Sequence, residues 1–234
     1  MAILYIIATP IGNLEDLTFR ALRIFKEVDL ILCEDTRVTR KLLGYYKINK
    51  PFLSYHQHSE LKKVEYIIQL LEKGKNLALV SDAGTPGISD PGNKLIAKIT
   101  EFARVASAQV EIVPIPGPSA VTAAASVSGF PMDRFLFLGF PPAKNKRKKF
   151  FEEVLNSKYP VIFYESPYRI IKTLNELKDS LITNYKLQTA QIVVCRELTK
   201  KFETIYRGTI EKVIQDIEKD KIKGEFVVIL EGKK

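Results

Sequence analysis

The stretch that most restricts the fold is Leu77 to Gly92, LALVSDAGTPGISDPG. An apolar run from Leu77 to Val80, the length of a buried strand, stops at a segment holding three glycines, two prolines and two aspartates. Gly84, Pro86, Gly87, Pro91 and Gly92 fix backbone angles that ordinary residues avoid, so the segment predicts a loop with one shape. Asp82 falls at the first turn, where a strand of an open α/β sheet presents a side chain to a ligand.

The residues before and after this stretch alternate. Ile3 to Ala8 reads as a buried strand, ended by Thr9-Pro10-Ile11-Gly12-Asn13. Thr18, Ala21, Leu22, Phe25 and Val28 recur at helical spacing, with Asp16 available as a cap, which predicts a helix to about Glu27. A strand at Leu30 to Cys33 then ends in Glu34-Asp35-Thr36-Arg37. The pattern goes on with a helix over about Val38 to Tyr46, a strand near Phe52 to Tyr55 and a helix near Glu60 to Glu72. The Leu77 strand, its loop, a helix over Asn93 to Arg104 and a strand at Val110 to Val113 follow. Such alternation predicts parallel strands with crossover helices. The loops at 9–13, 34–37, 82–92 and 114–119 all follow strand C-termini and are expected to line one crevice. There is no G-x-x-x-x-G-K-[ST], and the first loop has one glycine where a dinucleotide fingerprint needs three.

A small-residue helix, Ala120 to Ser128, leads to Gly129-Phe130-Pro131, which reads as a linker. Beyond it, an apolar run at Phe135 to Gly139 starts a second domain, with further strands near Val161 to Tyr164, Gln191 to Cys195, Thr204 to Tyr206 and Phe226 to Leu230. Helices are expected near Arg169 to Leu181 and Ile210 to Lys219. The gap from Cys195 to Thr204 is too short for a crossover helix, so those strands pair antiparallel and the second sheet is mixed. The expected layout is an N-terminal α/β domain at 1–113, a helix and linker at 114–133, and a C-terminal α/β domain with a mixed sheet at 134–234.

Composition narrows the partners. The 234 residues are 46% hydrophobic, ample for a core, and no apolar run approaches the roughly 20 residues that span a bilayer. The N-terminus has neither a basic leader nor a small-residue cleavage site, so a cytoplasmic location is expected. The two cysteines, Cys33 and Cys195, lie far apart and read as reduced core residues, and neither they nor His56 and His58 make a metal site. Net charge is +9, with 15 Lys/Arg against 13 Asp/Glu in residues 1–113 and 21 against 14 in the remainder. A basic half suits a polyanion such as RNA, although many Lys-rich proteins never bind one. The densest run is Lys144, Lys146, Arg147, Lys148 and Lys149, which reads either as a phosphate-backbone contact or as a solvated loop and first helical turn.

Eight segments in order, TPIGNLEDLTFRAL, CEDTR, LVSDAGTPGISDPG, PGPSA, GFPPAK, IFYESPYR, RELTK and KGEF, closely resemble the ribosomal RNA small subunit methyltransferase I family of the tetrapyrrole methylase superfamily. The resemblance covers nearly the whole chain. It implies a homodimeric two-domain α/β enzyme that binds S-adenosylmethionine (SAM) in a cleft between its domains. Its substrate would be the ribose 2′-oxygen of a cytidine in 16S rRNA of the small ribosomal subunit. Carried over by motif, Thr9, Pro10 and Ile11 border the cofactor, Asp82, Thr85 and Pro86 shape its methionine end, and Ser119 and Ala120 add contacts. Tyr164, Gly224 and Glu225 are then expected beside the adenosine. Longer members continue past the segment matching VVILEGKK, where this sequence stops at Lys234.

A sulfonium methyl is already activated, so positioning supplies much of the catalysis. A ribose hydroxyl still gains from a base, or from a cation beside the forming alkoxide. Glu34, Asp35, Arg37, Arg196, Glu197 and Lys200 are the candidates, with roles unassigned. Each has a plainer use: Glu34 to Arg37 as a helix cap with an ion pair, Arg196-Glu197 as an interdomain salt bridge, and Asp82 as the acceptor for amides of its own loop. Two other functions suit the same residues, a same-fold methyltransferase acting on a small or protein-borne substrate such as a corrinoid precursor, and a non-catalytic RNA-binding or assembly protein.

Overall fold

The computed structural model describes residues 1–56, 61–90, 92–183 and 190–233. Glu60, Gln57, His58 and Pro91 lie outside the described residues. The chain divides into two compact units, Met1–Ser119 and Ala120–Lys234.

The first unit runs β1 (Ala2–Ile7), α1 (Phe19–Glu27), β2 (Leu30–Cys33), α2 (Thr36–Tyr45), β3 (Phe52–Ser54), α3 (Leu61–Glu72), β4 (Leu77–Leu79), α4 (Gly92–Val105) and β5 (Val110–Ile115). Its sheet has the order β3-β2-β4-β1-β5, and every pairing is parallel. Alternate residues serve opposite faces. Ile7, Ile31, Cys33, Ala78 and Val80 pack with Ile24, Phe25 and Leu43 of α1 and α2. Leu4, Ile6, Leu32, Leu77 and Leu79 pack with Ile67, Leu71, Leu95 and Ile99 of α3 and α4. The apolar runs are therefore unbroken because both faces of each strand are covered.

Three of the boundaries that differ from the expectation have a visible cause. Helix α2 begins at Thr36, because Asp35 caps it through the amide of Arg37. Strand β5 continues through Pro114 and Ile115, paired with Ile6 and Ile7. A proline is tolerated there because β5 is an edge strand. Strand β9 extends past Tyr206 to Thr209, since Arg207, Gly208 and Thr209 keep the ladder with Val193, Ile192 and Gln191 although they are not apolar.

The second unit comprises α5 (Ala120–Ser128), β6 (Leu136–Phe137), α6 (Arg147–Asn156), β7 (Val161–Glu165), α7 (Ile170–Thr183), β8 (Gln191–Arg196), β9 (Thr204–Thr209), α8 (Ile210–Lys219) and β10 (Phe226–Leu230). The sheet order is β6-β7-β10-β8-β9, with β6 parallel to β7 and the other pairs antiparallel. The sheet is thus mixed, and β8 and β9 pair antiparallel. Helices α6, α7 and α8 cover one face, where Phe151, Leu174, Val213 and Ile217 meet Phe163, Val194 and Val228. Helix α5 packs against β7 and β10.

Candidate functional site

In the first unit the chain steps outward from β1 to β2 to β3 over α1 and α2, then returns to β4 and β5 over α3 and α4. The loop after β4 therefore leaves toward the opposite face from the loops after its neighbours β1 and β2. That divergence is a topological switch point, the place where open α/β sheets hold ligands. Hydrogen bonds close the loops around it. Thr9 and Gly84 exchange backbone hydrogen bonds of 2.9 and 3.0 Å. The Asp35 amide donates to Asp82 Oδ1 at 2.9 Å. Thr85 Oγ1 donates to the Pro118 carbonyl at 3.0 Å, and Thr9 Oγ1 donates to the Ser81 carbonyl at 3.3 Å. Gly117 permits the close approach of the last loop to β1, because a Cβ there would stand 3.0 Å from Ala8 Cβ.

The loop after β4 is held by Asp90, not by Asp82. Asp90 Oδ1 accepts from the amides of Gly87 and Gly92 at 2.7 and 2.8 Å, and Asn93 Nδ2 donates to the Gly87 carbonyl at 2.6 Å. Gly87 sits at φ +90, and a Cβ on it would lie 2.6 Å from Asn93 Oδ1. Asp82 instead bridges to the neighbouring loop and stays exposed. Beside it opens a cleft of about 370 Å3, lined by Thr9, Pro10, Gly12, Thr39, Lys41 and Asp82 among others. Thr9 and Ile11 are buried, whereas Pro10, Thr85 and Ser119 are half-buried. Pro86 is buried beside a water-sized cavity of about 10 Å3 that also touches Glu34, Tyr55 and Asp90.

The carboxylates around this cleft differ sharply. Burial, followed by the charges of Asp82, Asp90 and Asp35, pushes Glu34 above the usual carboxylate range. Asp35 moves the other way, to about 2, because Arg37 binds it through its side chain and its amide. Their contacts include Arg37 Nη2 to Asp35 Oδ2 at 2.6 Å, on a side chain that is largely in solvent. Asp35 and Arg37 thus form the capped, ion-paired start of α2, and of this motif's two carboxylates only Glu34 has a raised proton affinity.

In the second unit, Arg196, Glu197, Lys200, Gly224 and Glu225 form one network. Lys200 Nζ donates to Glu197 Oε1 and Glu225 Oε2, both at 2.8 Å, and the Glu225 amide donates to Glu197 Oε1 at 3.0 Å. Arg196 Nε donates to the Lys223 carbonyl at 2.9 Å. All these partners lie within the unit. Burial alone would raise Glu197, but Lys200 and the Glu225 amide outweigh it and hold it low. Burial likewise opposes the Lys200 charge, and its two carboxylate partners raise it nonetheless. Glu197 has φ +51 and Gly224 φ +93, and a Cβ on Gly224 would fall 2.3 Å from the Glu197 side chain. Tyr164 is half-buried and edge-on to Phe137 and Phe140. Burial pushes its hydroxyl up to about 12. Ala120 begins α5 of this unit.

The basic run does not act as one surface. Lys144, Lys146, Lys148 and Lys149 are exposed, but Arg147 is 8% exposed. Its guanidinium donates to Glu176, Thr173 and the Pro142 carbonyl at 2.6 to 2.9 Å. Arg147 is therefore removed from the phosphate-contact set, because its donors are consumed inside the fold. Thr173 Oγ1 passes on to Glu165 at 2.6 Å, and Glu165, 1% exposed, also pairs with Arg169 at 2.8 Å. Asp90, Thr39, Glu165 and Thr173 were absent from the candidates drawn from the sequence.

Among the described residues, no group of three or more His, Cys, Asp or Glu is placed to hold a metal ion, and no helix is long and apolar enough to cross a membrane. Cys33 and Cys195 are free and buried, and His56 is exposed.

Residues 3–214 match the Tetrapyrrole (Corrin/Porphyrin) Methylases. A Thermotoga maritima protein named Ribosomal RNA small subunit methyltransferase I is 41% identical over 233 residues, which span 100% of both chains. Proteins of the same name from Haemophilus influenzae and Synechocystis are 45% and 43% identical over 99% of this chain, and 79% and 80% of their own length. Among solved structures, diphthine synthase is similar with a TM-score of 0.71 at 12% identity, covering 99% of this chain and 90% of its own. The cobalamin biosynthetic enzyme cobalt precorrin-4 methyltransferase gives 0.67 at 19% identity, over 98% and 94%. Those two likenesses concern the fold alone. The close relatives and the matched family together establish that the chain belongs to the ribosomal RNA small subunit methyltransferase I family of the tetrapyrrole methylases.

Proposed function

We propose that this protein transfers a methyl group from SAM to the ribose 2′-oxygen of a cytidine in 16S rRNA. The observation that carries the reading is identity of 41 to 45% over essentially the whole chain with proteins named for small-subunit rRNA methylation. The corrinoid and diphthine enzymes share the fold at 12 to 19% identity, which gives a small or protein-borne substrate less support. The reading extends to a homodimer acting on the small subunit, as the family resemblance implies, and to a cytoplasmic location.

Two features fit the cofactor. The Asp82 carboxylate is exposed and oriented by the Asp35 amide, suited to an α-ammonium. The adjoining cleft of about 370 Å3 lies within the usual range for small-molecule sites. When bound, SAM supplies an activated methyl on a sulfonium, leaving the protein to position the acceptor and manage its proton. On the family resemblance, Asp82, Thr85 and Pro86 would hold the methionine end, Thr9, Pro10 and Ile11 would border the cofactor, Ser119 and Ala120 would add contacts, and Tyr164, Gly224 and Glu225 would neighbour the adenosine.

Among the candidate bases, Glu34 is the one to carry the proton step. Asp35 and Glu197 are both shifted toward the ionised form, and are correspondingly weaker bases. Glu34 has the opposite shift, which brings its proton affinity closer to working pH. It would accept the proton of the ribose hydroxyl as the oxygen attacks. The guanidinium of Arg37 is engaged by Asp35. Lys200 and Arg196 are held by carboxylate and carbonyl partners and would act by shaping the site. Incubating the purified protein with labelled SAM and small subunits from cells lacking it tests the reading. Label confined to one ribose is expected, and no transfer to the subunit would refute it.

A further inference from the structure

The second unit carries an unusual distribution of exposed aromatics. Among its described residues, the three most exposed large hydrophobic side chains are Tyr168 at 96%, Phe202 at 65% and Phe140 at 52%, whereas the others reach only 36 to 37%. All three lie at one end of the sheet. Phe140 follows β6 and Tyr168 follows β7, which run parallel. Phe202 lies between β8 and β9. Strand β8 points the same way as β7, because both are antiparallel to the β10 strand between them.

Local contacts fix the row. The Tyr164 amide donates to the Gly139 carbonyl at 2.8 Å, and the Phe140 ring stands edge-on to Tyr164 at 5.4 Å. Arg169 Nη1 donates to the Pro141 carbonyl at 3.3 Å, drawing the residue after Tyr168 to the residue after Phe140. On the far side, the Glu197 amide donates to the Glu225 carbonyl at 2.9 Å and Lys200 bridges both carboxylates, so the turn bearing Phe202 is tied to the start of β10. With about 4.8 Å between neighbouring strands, β7 and β8 stand roughly 10 Å apart.

Exposed rings gathered at one end of a sheet are a feature of interaction surfaces. The charges beside them indicate the partner. Lys144, Lys146, Lys148 and Lys149 follow Phe140 in the chain and are exposed, and Lys201 Nζ stands 5.7 Å from the Phe202 ring. Aromatic rings interleaved with lysines suit a strand of nucleic acid whose bases are unstacked, because each base offers a π face and each linkage a phosphate. A duplex would hide its bases and leave the rings uncovered.

We propose that this end of the sheet is a stacking platform for a single-stranded stretch of RNA, with Phe140, Tyr168 and Phe202 taking bases and the adjoining lysines taking phosphates. The inference rests on the reading of the chain as an rRNA methyltransferase and adds that the substrate is engaged as an opened strand. A flipped or looped nucleotide is also the form in which a ribose hydroxyl becomes accessible from all sides.

The test is fluorescence anisotropy with a short unstructured oligoribonucleotide, and with the same strand annealed to its complement. The full chain is compared with Tyr168→Leu and with a Phe140→Leu, Tyr168→Leu, Phe202→Leu triple variant, each checked for unaltered thermal unfolding. Tighter binding of the single strand is expected, and about a tenfold loss for each ring replaced. The salt dependence should stay unchanged, since every cation is retained. Equal affinity for the duplex, or undiminished affinity in both variants, overturns the platform. Undiminished affinity together with a smaller sedimenting species would assign the rings to contact between two copies, which also overturns it. If the unaltered protein binds RNA and transfers methyl while the variants bind equally well, the platform alone falls. If the unaltered protein binds neither oligonucleotide but transfers methyl to the small subunit, the platform alone falls, and if it transfers no methyl either, the platform and the functional reading fall together.

Discussion

The backbone amide of Asp35 donates to Asp82 Oδ1 at 2.9 Å across the loops that follow the adjacent strands β2 and β4. One side chain thereby joins two motifs that are 47 residues apart in the chain. The interaction has separable parts, an oxygen that accepts the amide and a charge that faces solvent. Asp82→Asn can retain the first and lose the second.

Asp82→Ala should therefore weaken SAM binding and also lower stability by about 1 kcal/mol, the usual worth of one hydrogen bond. Asp82→Asn should weaken binding with little change in stability. Calorimetric titration with SAM, paired with denaturant unfolding, separates the two. Unchanged affinity in both variants would remove Asp82 from the cofactor site.

Glu34 makes a pH-dependent prediction. Its folded-state proton affinity is raised, so its favourable contribution is present below the unfolded value of about 4.3 and is lost as pH rises through the folded value. At neutral pH the ionised group opposes folding. Glu34→Gln should raise the melting temperature at pH 7, and the gain should vanish below about pH 4. The same variant should lose methyl transfer by about a hundredfold or more if Glu34 takes the ribose proton. Greater stability together with full activity would make the residue a bystander.

Arg147 and Lys148 are neighbours with opposite expectations. Arg147→Ala leaves Glu176 and the Thr173 hydroxyl short of a partner in a nearly buried network, and should cost about 3 kcal/mol in urea unfolding. Lys148→Ala, on the exposed side of the same helix turn, should stay within about 0.5 kcal/mol. Equal effects would contradict the separation of the run into a buried and a solvent-facing part.

Replacing Lys144, Lys146, Lys148 and Lys149 together with Ala should weaken RNA binding and flatten its dependence on salt. For a single strand, the logarithmic slope should fall by about 0.7 for each phosphate that no longer has a lysine beside it. An unaltered slope would return these lysines to ordinary surface residues.

Much of this was legible in the sequence for identifiable reasons. Unbroken apolar runs ending in turn residues located β1, β2 and β4 and the loops behind them, because both faces of those strands are buried. The division of labour between Asp82 and Asp90 was not legible, since either carboxylate could cap amides of so glycine-rich a loop. The decision depends on how Asp35 arrives from another strand. Arg147 did leave a signal, hidden by its basic neighbours. Arg147, Phe150, Phe151 and Val154 are spaced as one helix face, and all four are buried. Glu165 left one too, because it continues the alternation of Val161 and Phe163 on the helix-covered side of β7. At both positions the charge of the side chain masks the period of the element it sits on.

Under the proposed function, the protein methylates one ribose of small-subunit rRNA. Mass-spectrometric mapping of 16S rRNA from cells lacking the protein tests it most directly. Loss of a single cytidine 2′-O-methyl group is expected, restored by the intact gene and not by Glu34→Gln. A methylation map identical to that of the parent cells would contradict that function.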